Sequence, residues 1–499
     1  MNETYEFFRS RTNDIALLGH TLGLLSWDQE VNMPPKGATL RAEKLSFLSG
    51  LLHERRTDDK YISAVQKLLE DKSLDETQAV NVRELWRVLE RSLRLSREFV
   101  EEMSRTTSEC FTAWHKAKTE KNFGIYAPLL EKMISLKKQE AEMLGYEGHP
   151  YNAFLDEYEP GLTIKELDTL FADVRERLVD FVKKIAQQPR PDDTFFYGEF
   201  EESKQEDFCR LLLEKMGYDF QAGRMDRSSH PFCIGLHPGD TRITYRLKRN
   251  DLSEIIWSIT HEGGHALYEQ GLDPAQWGMP AGSAVSLAIH ESQSRLWENN
   301  VSRSLPYWEH FLPGLKKYFP GKLDPVTPED FFRACNRVEP SLIRTNADEL
   351  TYHFHIMIRY EIEKAIFDGS LPVNDLPAYW NNKYREYLGI EVPDDSQGIL
   401  QDVHWSHGSF GYFPTYSLGS FYAAQFFRTA QQRIPGLGEQ VRNGELSGLR
   451  EWLKENIHRH GMHYRAQDLC IKVTGEPLRF DHFMEYANEK YSTIYPGLR

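Results

Sequence analysis

Residues 255–271 read IIWSITHEGGHALYEQG, and the conformation of this stretch governs what the rest of the chain can be. At about 100° of turn per residue, His261 and His265 lie about 40° apart on one helical face, close enough for both imidazoles to hold one ion. Glu262 lies about 60° from His265, where its carboxylate can reach a water at that ion without being a ligand. Ile255, Ile256 and Ile259 supply an apolar lead-in. H-E-x-x-H on a helix is the pattern of a zinc hydrolase, with two histidines on the metal and the glutamate as general base. The adjacent Gly263 and Gly264 oppose helix formation by about 1 kcal/mol each relative to Ala. Gly263 points away from the histidines and Gly264 to one flank, so a neighbouring helix or strand is expected to approach closely there and set their aim.

A catalytic zinc needs a third protein ligand and one open position. The extension H-x-x-G-x-x-H is absent, because Tyr268 and Gly271 stand where its glycine and third histidine belong. The following segment, AIHESQSRLWEN, offers His290, Glu291 and Glu298. A carboxylate on the next helix is the usual alternative to a third histidine, and spacing leaves Glu291 and Glu298 nearly equal, with His290 behind.

Working outward, the 499 residues are 40% hydrophobic, enough for a large core, and no linker, low-complexity tract or repeat marks a boundary. One catalytic domain over 1–499 is expected, with a helical N-terminal region of about 1–220 and an active-site region of about 228–420. The net charge of −15 and the lack of a long basic run exclude a nucleic-acid partner. Five scattered cysteines, Cys110, Cys209, Cys233, Cys335 and Cys470, form no C-x-x-C pair and point to a reducing compartment. The first thirty residues carry charges ahead of a short apolar run broken by His20, which resembles neither a signal peptide nor a membrane span. A cytoplasmic protein with no membrane partner is the expectation.

The elements read as mainly α. Ile15, Leu18, Leu22 and Leu25 recur at helical intervals, as do Leu85, Val88 or Leu89, and Leu93; residues 164–185 keep the same period, and MPPKGA breaks the pattern after Met33. Helix is expected again around 284–300, from Leu342 to Phe367, and near the C-terminus. Between Ser228 and Arg249 the pattern changes: Ile243, Tyr245 and Leu247 alternate with Thr244 and Arg246, and HPGD is turn chemistry. Two short strands joined by a turn are predicted immediately before the histidine helix.

Several stretches together resemble one family, the carboxypeptidase Taq metallopeptidases. They are LSWDQEVNMPPKGA, HPF, DTRIT, HEGGH, HESQ, IRTNAD and GILQDVHWSHGSFGYFPTY, in that order, and the likeness covers essentially the whole chain. The resemblance implies Glu291 as third metal ligand, a large helical body with a deep active-site groove, a homodimer, and release of single residues from peptide C-termini with broad preference.

The remaining motifs make chemical sense in that frame. A free α-carboxylate is best received by arginine, whose planar fork suits bidentate pairing, and Arg344 in IRTNAD and Arg242 in DTRIT are the candidates. The alternative is that Arg344 merely pairs with Asp348 and Arg242 with Asp240. A strand edge beside the metal can bind an extended peptide by its backbone, with His230 lining the same groove. Tyr412, Tyr416 and His404 compete to donate to the developing oxyanion, with Tyr412 preferred, and Gln401 is a groove residue by its motif. His and carboxylate ligands accept Zn2+ and also Co2+ or Mn2+. The rival readings are an endopeptidase or dipeptidase using the same site, and a helical binding protein whose metal is structural.

Overall fold

The computed structural model describes residues 2–498. Among the described residues the fold is mainly helical, with one three-stranded sheet. The chain forms two compact units. The first comprises Met1–Glu90, Asp192–Cys335 and Tyr422–Leu478; the second comprises Arg91–Pro191, Asn336–Phe421 and Arg479–Arg499.

In the first unit, the predicted N-terminal helix runs Glu3–Val31, and a short 3-10 turn at Pro35–Gly37 marks the expected break. The sheet holds β1 (Gly223–Arg227), β2 (Cys233–His237) and β3 (Asp240–Tyr245) in the order β1-β3-β2. The antiparallel β2–β3 pair is the predicted hairpin, with Cys233 opposite Ile243 and Gly235 opposite Thr241. Sequence reasoning missed β1, which pairs parallel to β3. Its charged sequence GRMDR hides it, since Arg224 and Asp226 occupy one another in a two-point ion pair. As the central strand, β3 buries Thr241, Ile243, Thr244 and Tyr245, on both faces rather than one.

The histidine helix, Leu252–Gly271, follows directly. Asp251 caps it by accepting the Ser253 amide, and Leu252, Ile255, Ile256 and Ile259 are fully buried. It packs on β2, β3, the helix Glu202–Met216 and the helix Leu287–Arg295. The last of these is capped by Ser286 and continues without a break into a π-helical stretch, Leu296–Ser302. The two glycines face the two neighbouring helices. A Cβ on Gly263 would lie 2.7 Å from Leu213, and one on Gly264 would lie 2.6 Å from the Gln293 carbonyl oxygen and the Ser294 Cα. Gly264 therefore lets the helix bearing Glu291 rest backbone against backbone on the histidine helix.

In the second unit, the helix Ile164–Ala186 lies where the periodicity placed it. The stretch expected to be helical from Leu342 is not: a 3-10 turn occupies Arg344–Asn346 and the helix begins at Tyr352, running to Asp368. Asp348 causes the delay. Its carboxylate accepts the amides of Glu339, Leu350 and Thr351 and the Thr351 hydroxyl, holding a turn in place of a helical ladder. His353, His355, Arg359 and Glu363 on this helix are wholly buried, so each polar group needs an internal partner. Glu363 has three, accepting from the Tyr151 hydroxyl at 2.5 Å, Trp405 Nε1 at 2.7 Å and the Gly411 amide at 2.9 Å.

Candidate metal centre

The histidine helix brings His261 and His265 together, and the next helix places Glu291 against them. Glu291 Oε2 lies 3.7 Å from His261 Nε2 and 3.4 Å from His265 Nε2, and one donor atom from each residue falls within 4.8 Å of the others. That spacing suits three ligands around one ion. The two histidines are partly exposed while Glu291 is 6% exposed.

The other two candidates from AIHESQSRLWEN also reach the histidines, but at the opposite ring nitrogens. Glu298, on the π-helical stretch, meets His261 Nδ1 at 2.9 Å. His290 Nδ1 meets His265 Nδ1 at 2.6 Å. Spacing could not separate the three because all three touch the pair; their different elevations along the helix decide which nitrogen each one faces. Two arginines then hold the acids. Arg295 donates to Glu291 at 2.7 Å and to Glu298 at 3.2 Å, and Arg303 donates to Glu298 at 3.0 Å.

The protonation pattern suits a cation. Burial alone would push Glu291 up, but Arg295 and the histidines outweigh it and hold the carboxyl well below its usual range. Burial lowers the His265 imidazole to about 3, leaving it neutral. At His261 burial is outweighed by Glu291 and Glu298, which raise the imidazole, and a cation at Nε2 would take the place of that proton. Glu262 is 7% exposed and has no hydrogen-bond partner among the described residues; burial pushes its carboxyl up to about 7. A carboxyl poised near neutrality can accept a proton and return it.

The predicted substrate residues fall into two groups. In the first unit, Arg242 is clasped by Asp240 in a two-point ion pair at 2.8 and 2.9 Å and lies over the Trp27 ring, as the alternative reading had it. His230 is exposed, and its carbonyl accepts from the Ser228 hydroxyl at 2.6 Å.

The second unit gathers Arg344, Gln401, His404 and Tyr412. Arg344 does not pair with Asp348. It is buried, binds Asp402 through Nε at 3.2 Å and through a terminal nitrogen at 2.8 Å, and donates to the Tyr352 hydroxyl at 2.9 Å. Arg359 donates to the same Asp402 at 2.7 Å. Burial pushes Asp402 up, yet the two guanidinium groups prevail and hold it well below the usual carboxylate range. Gln401 is fully engaged: its carbonyl oxygen accepts from the Arg344 amide and from Arg359, and its two N–H groups have the Leu342, Gln397 and Gly398 carbonyls and the Tyr384 hydroxyl within reach. His404 Nδ1 is buried without a hydrogen-bond partner among the described residues, 4.0 Å from Asp402, and burial lowers its imidazole to about 4. Tyr412 is half-buried, with ring contacts to Tyr158, His404 and Tyr416.

Sequence reasoning did not single out Arg295, Arg303, Glu269, Asp402 or Arg359. Glu269 was within reach, since His261, His265 and Glu269 recur every four residues. Asp402 sat inside a quoted motif, but nothing in the spacing ties it to two arginines 58 and 43 residues away.

Comparison with known proteins agrees with this geometry. Residues 7–491 match the family model described as Carboxypeptidase Taq (M32) metallopeptidase. The chain is 41% identical to Thermostable carboxypeptidase 1 of Thermus thermophilus, covering 98% of each chain, and 38% identical to Carboxypeptidase 1 of Bacillus subtilis, covering 96% of each. Its structure superimposes on that of an M32 carboxypeptidase from Deinococcus radiodurans with a TM-score of 0.97 at 36% identity, covering 99% of this chain and all of the other. A match of this length and depth has one reading: the chain belongs to the carboxypeptidase Taq family and is a metallocarboxypeptidase.

Proposed function

We propose that this metallocarboxypeptidase is zinc-dependent, holds the ion with His261, His265 and Glu291, and releases single residues from peptide C-termini with broad preference. The observation that carries this is the convergence of two Nε2 atoms and one arginine-held carboxylate, with the unpartnered Glu262 beside His261 in the helix. The donor set of two imidazoles and one carboxylate suits Zn2+ and tolerates Co2+ or Mn2+. When bound, the ion would supply Lewis acidity at the scissile carbonyl and a water of lowered pKa. Glu262 takes the proton from the attacking water and delivers it to the leaving amine.

Arg344 receives the substrate's terminal carboxylate. The support is a charge count: two arginines share the single carboxylate of Asp402, so the cluster retains one positive charge to offer an incoming anion. Gln401 braces both arginines, and His404 and Tyr412 serve the peptide and the oxyanion; Arg242 and His230 are assigned to peptide binding beside the sheet. Residues 1–499 act as one catalytic domain, for which the interleaved chain path is the support. Among the described residues no helix is long and apolar enough to cross a membrane. A cytoplasmic homodimer acting on peptides with a free C-terminus completes the reading, and sedimentation velocity tests the dimer. The central test is mass spectrometry of a peptide mixture with and without chelator: stepwise loss of single C-terminal residues, stopped by chelation, is expected. Internal cleavage, or cleavage indifferent to chelator, would overturn it.

A further inference from the structure

Glu269 lies one turn beyond His265 on the same helix and touches no ligand atom of the metal cluster, yet it is joined to that cluster through His290. His290 Nε2 lies 2.7 Å from Glu269 Oε1, and His290 Nδ1 lies 2.6 Å from His265 Nδ1. Only one order of donors and acceptors satisfies this chain with a ligand at the far end. With His265 Nε2 free for a ligand, its Nδ1–H must donate to His290 Nδ1, and a neutral imidazole that accepts at Nδ1 donates through Nε2, here to Glu269. His265 Nε2 is then the lone pair, on the side where Glu291 lies 3.4 Å away.

The fold makes room for this arrangement. A Cβ on Gly235 of β2 would sit 2.1 Å from Glu269 Oε2 and 2.5 Å from its Cδ, so the strand is stripped of its side chain where the carboxylate rests. The His290 ring is also held in place by Tyr268, at 5.2 Å between centroids.

We propose that Glu269 and His290 are positioning residues that fix the tautomer and ring orientation of His265, doing for that ligand what Glu298 does directly for His261. The inference rests on the metal reading above, and the test separates the two: zinc binding by the unaltered protein tests that reading, and the ratio of variant to parent affinity tests the relay alone. Zinc dissociation constants would be measured by competition with a chelating dye, alongside thermal midpoints in excess chelator. His290→Leu is expected to weaken zinc about 10–100-fold, the usual effect of losing such an outer partner, with the chelated midpoint little changed. Glu269→Gln, whose amide can donate as well as accept and so permits the wrong tautomer, is expected to weaken it by about tenfold. His290→Gln keeps an acceptor for His265 and a donor for Glu269 and is expected to stay within about threefold of the parent. Parental affinity in His290→Leu would overturn the proposal, as would a His290→Gln loss as large as that of His290→Leu. Should neither His290 variant fold, an unchanged affinity in Glu269→Gln overturns it alone.

Discussion

Two polar clusters described above each set a pair of arginines against carboxylate, and they differ in the count. Around the histidines, Arg295 and Arg303 face Glu291 and Glu298, so the charges balance and the imidazole Nε2 atoms remain to attract a cation. In the second unit, Arg344 and Arg359 share the carboxylate of Asp402, and that trio carries a net positive charge. The same side-chain types therefore leave one group balanced and the other positive, by stoichiometry rather than by composition. Burial makes the difference effective, because an unbalanced charge is weakly screened there.

The strongest way to break the comparison is at the group that belongs to neither balance. Glu262→Gln leaves every ligand and both arginine pairs in place, so zinc content and thermal midpoint should hold while kcat falls by at least about three orders of magnitude. Near-parental turnover at full zinc occupancy would remove Glu262 from the chemistry. His265→Ala should do the reverse and empty the site.

Next in size is the surplus charge itself. If Arg344 takes the terminal carboxylate, amidating a good peptide should nearly abolish cleavage, and acetylating its N-terminus should matter little. Arg344→Ala should lower kcat/KM on the free acid by an amount equivalent to about 2–5 kcal/mol and narrow the advantage of acid over amide. An undiminished preference for acid would move the role elsewhere, to Arg242 first.

A smaller effect sharpens the picture of the second unit. His404 is held neutral in the folded chain, its imidazole lowered to about 4, so the unfolded chain binds the extra proton between roughly pH 6.5 and 4. Stability contributed this way is present above about pH 6.5 and is lost as the pH falls toward about 4, amounting to up to about 3 kcal/mol. His404→Gln should flatten denaturant midpoints across that window, and an unchanged slope would contradict the assignment. Smallest is Gly264→Ala, where a Cβ meets helix backbone that no rotamer change can relieve. A loss of about 1–3 kcal/mol is expected, with weaker zinc binding because the helix carrying Glu291 must move. A variant with parental stability and zinc affinity would show that the close approach is not needed.

How much of this was legible in the sequence follows the range of the interactions. His261, Glu262 and His265 declare themselves because helical periodicity alone aligns them, and the hairpin before them shows in the alternation of Ile243 and Tyr245. The glycine pair was legible as a packing demand, and Leu213 and Ser294 supply the neighbours. The third ligand was legible only as one of three, since spacing does not fix which ring nitrogen a side chain on a second helix will face. Resemblance to the family resolved that choice toward Glu291. The partner of Arg344 was out of reach: Asp348 stands four residues away and looked sufficient, but its carboxylate is consumed by backbone amides, which frees Arg344 for Asp402. Strand β1 was hidden for a similar reason, because its charges satisfy each other and leave no apolar alternation to read.

The interleaved path also sets a timetable for synthesis. The first unit takes its last segment from Tyr422–Leu478 and the second from Arg479–Arg499, so neither body can close until the ribosome has delivered almost the entire chain. The second waits longest. It needs the ring of Phe483, 4.9 Å from His353, and the Tyr495 hydroxyl, which accepts the Val338 amide at 3.0 Å. A nascent chain stalled before Phe480 would hold every residue of the histidine site and still lack the helix that packs on His353 and Glu349 in the second unit.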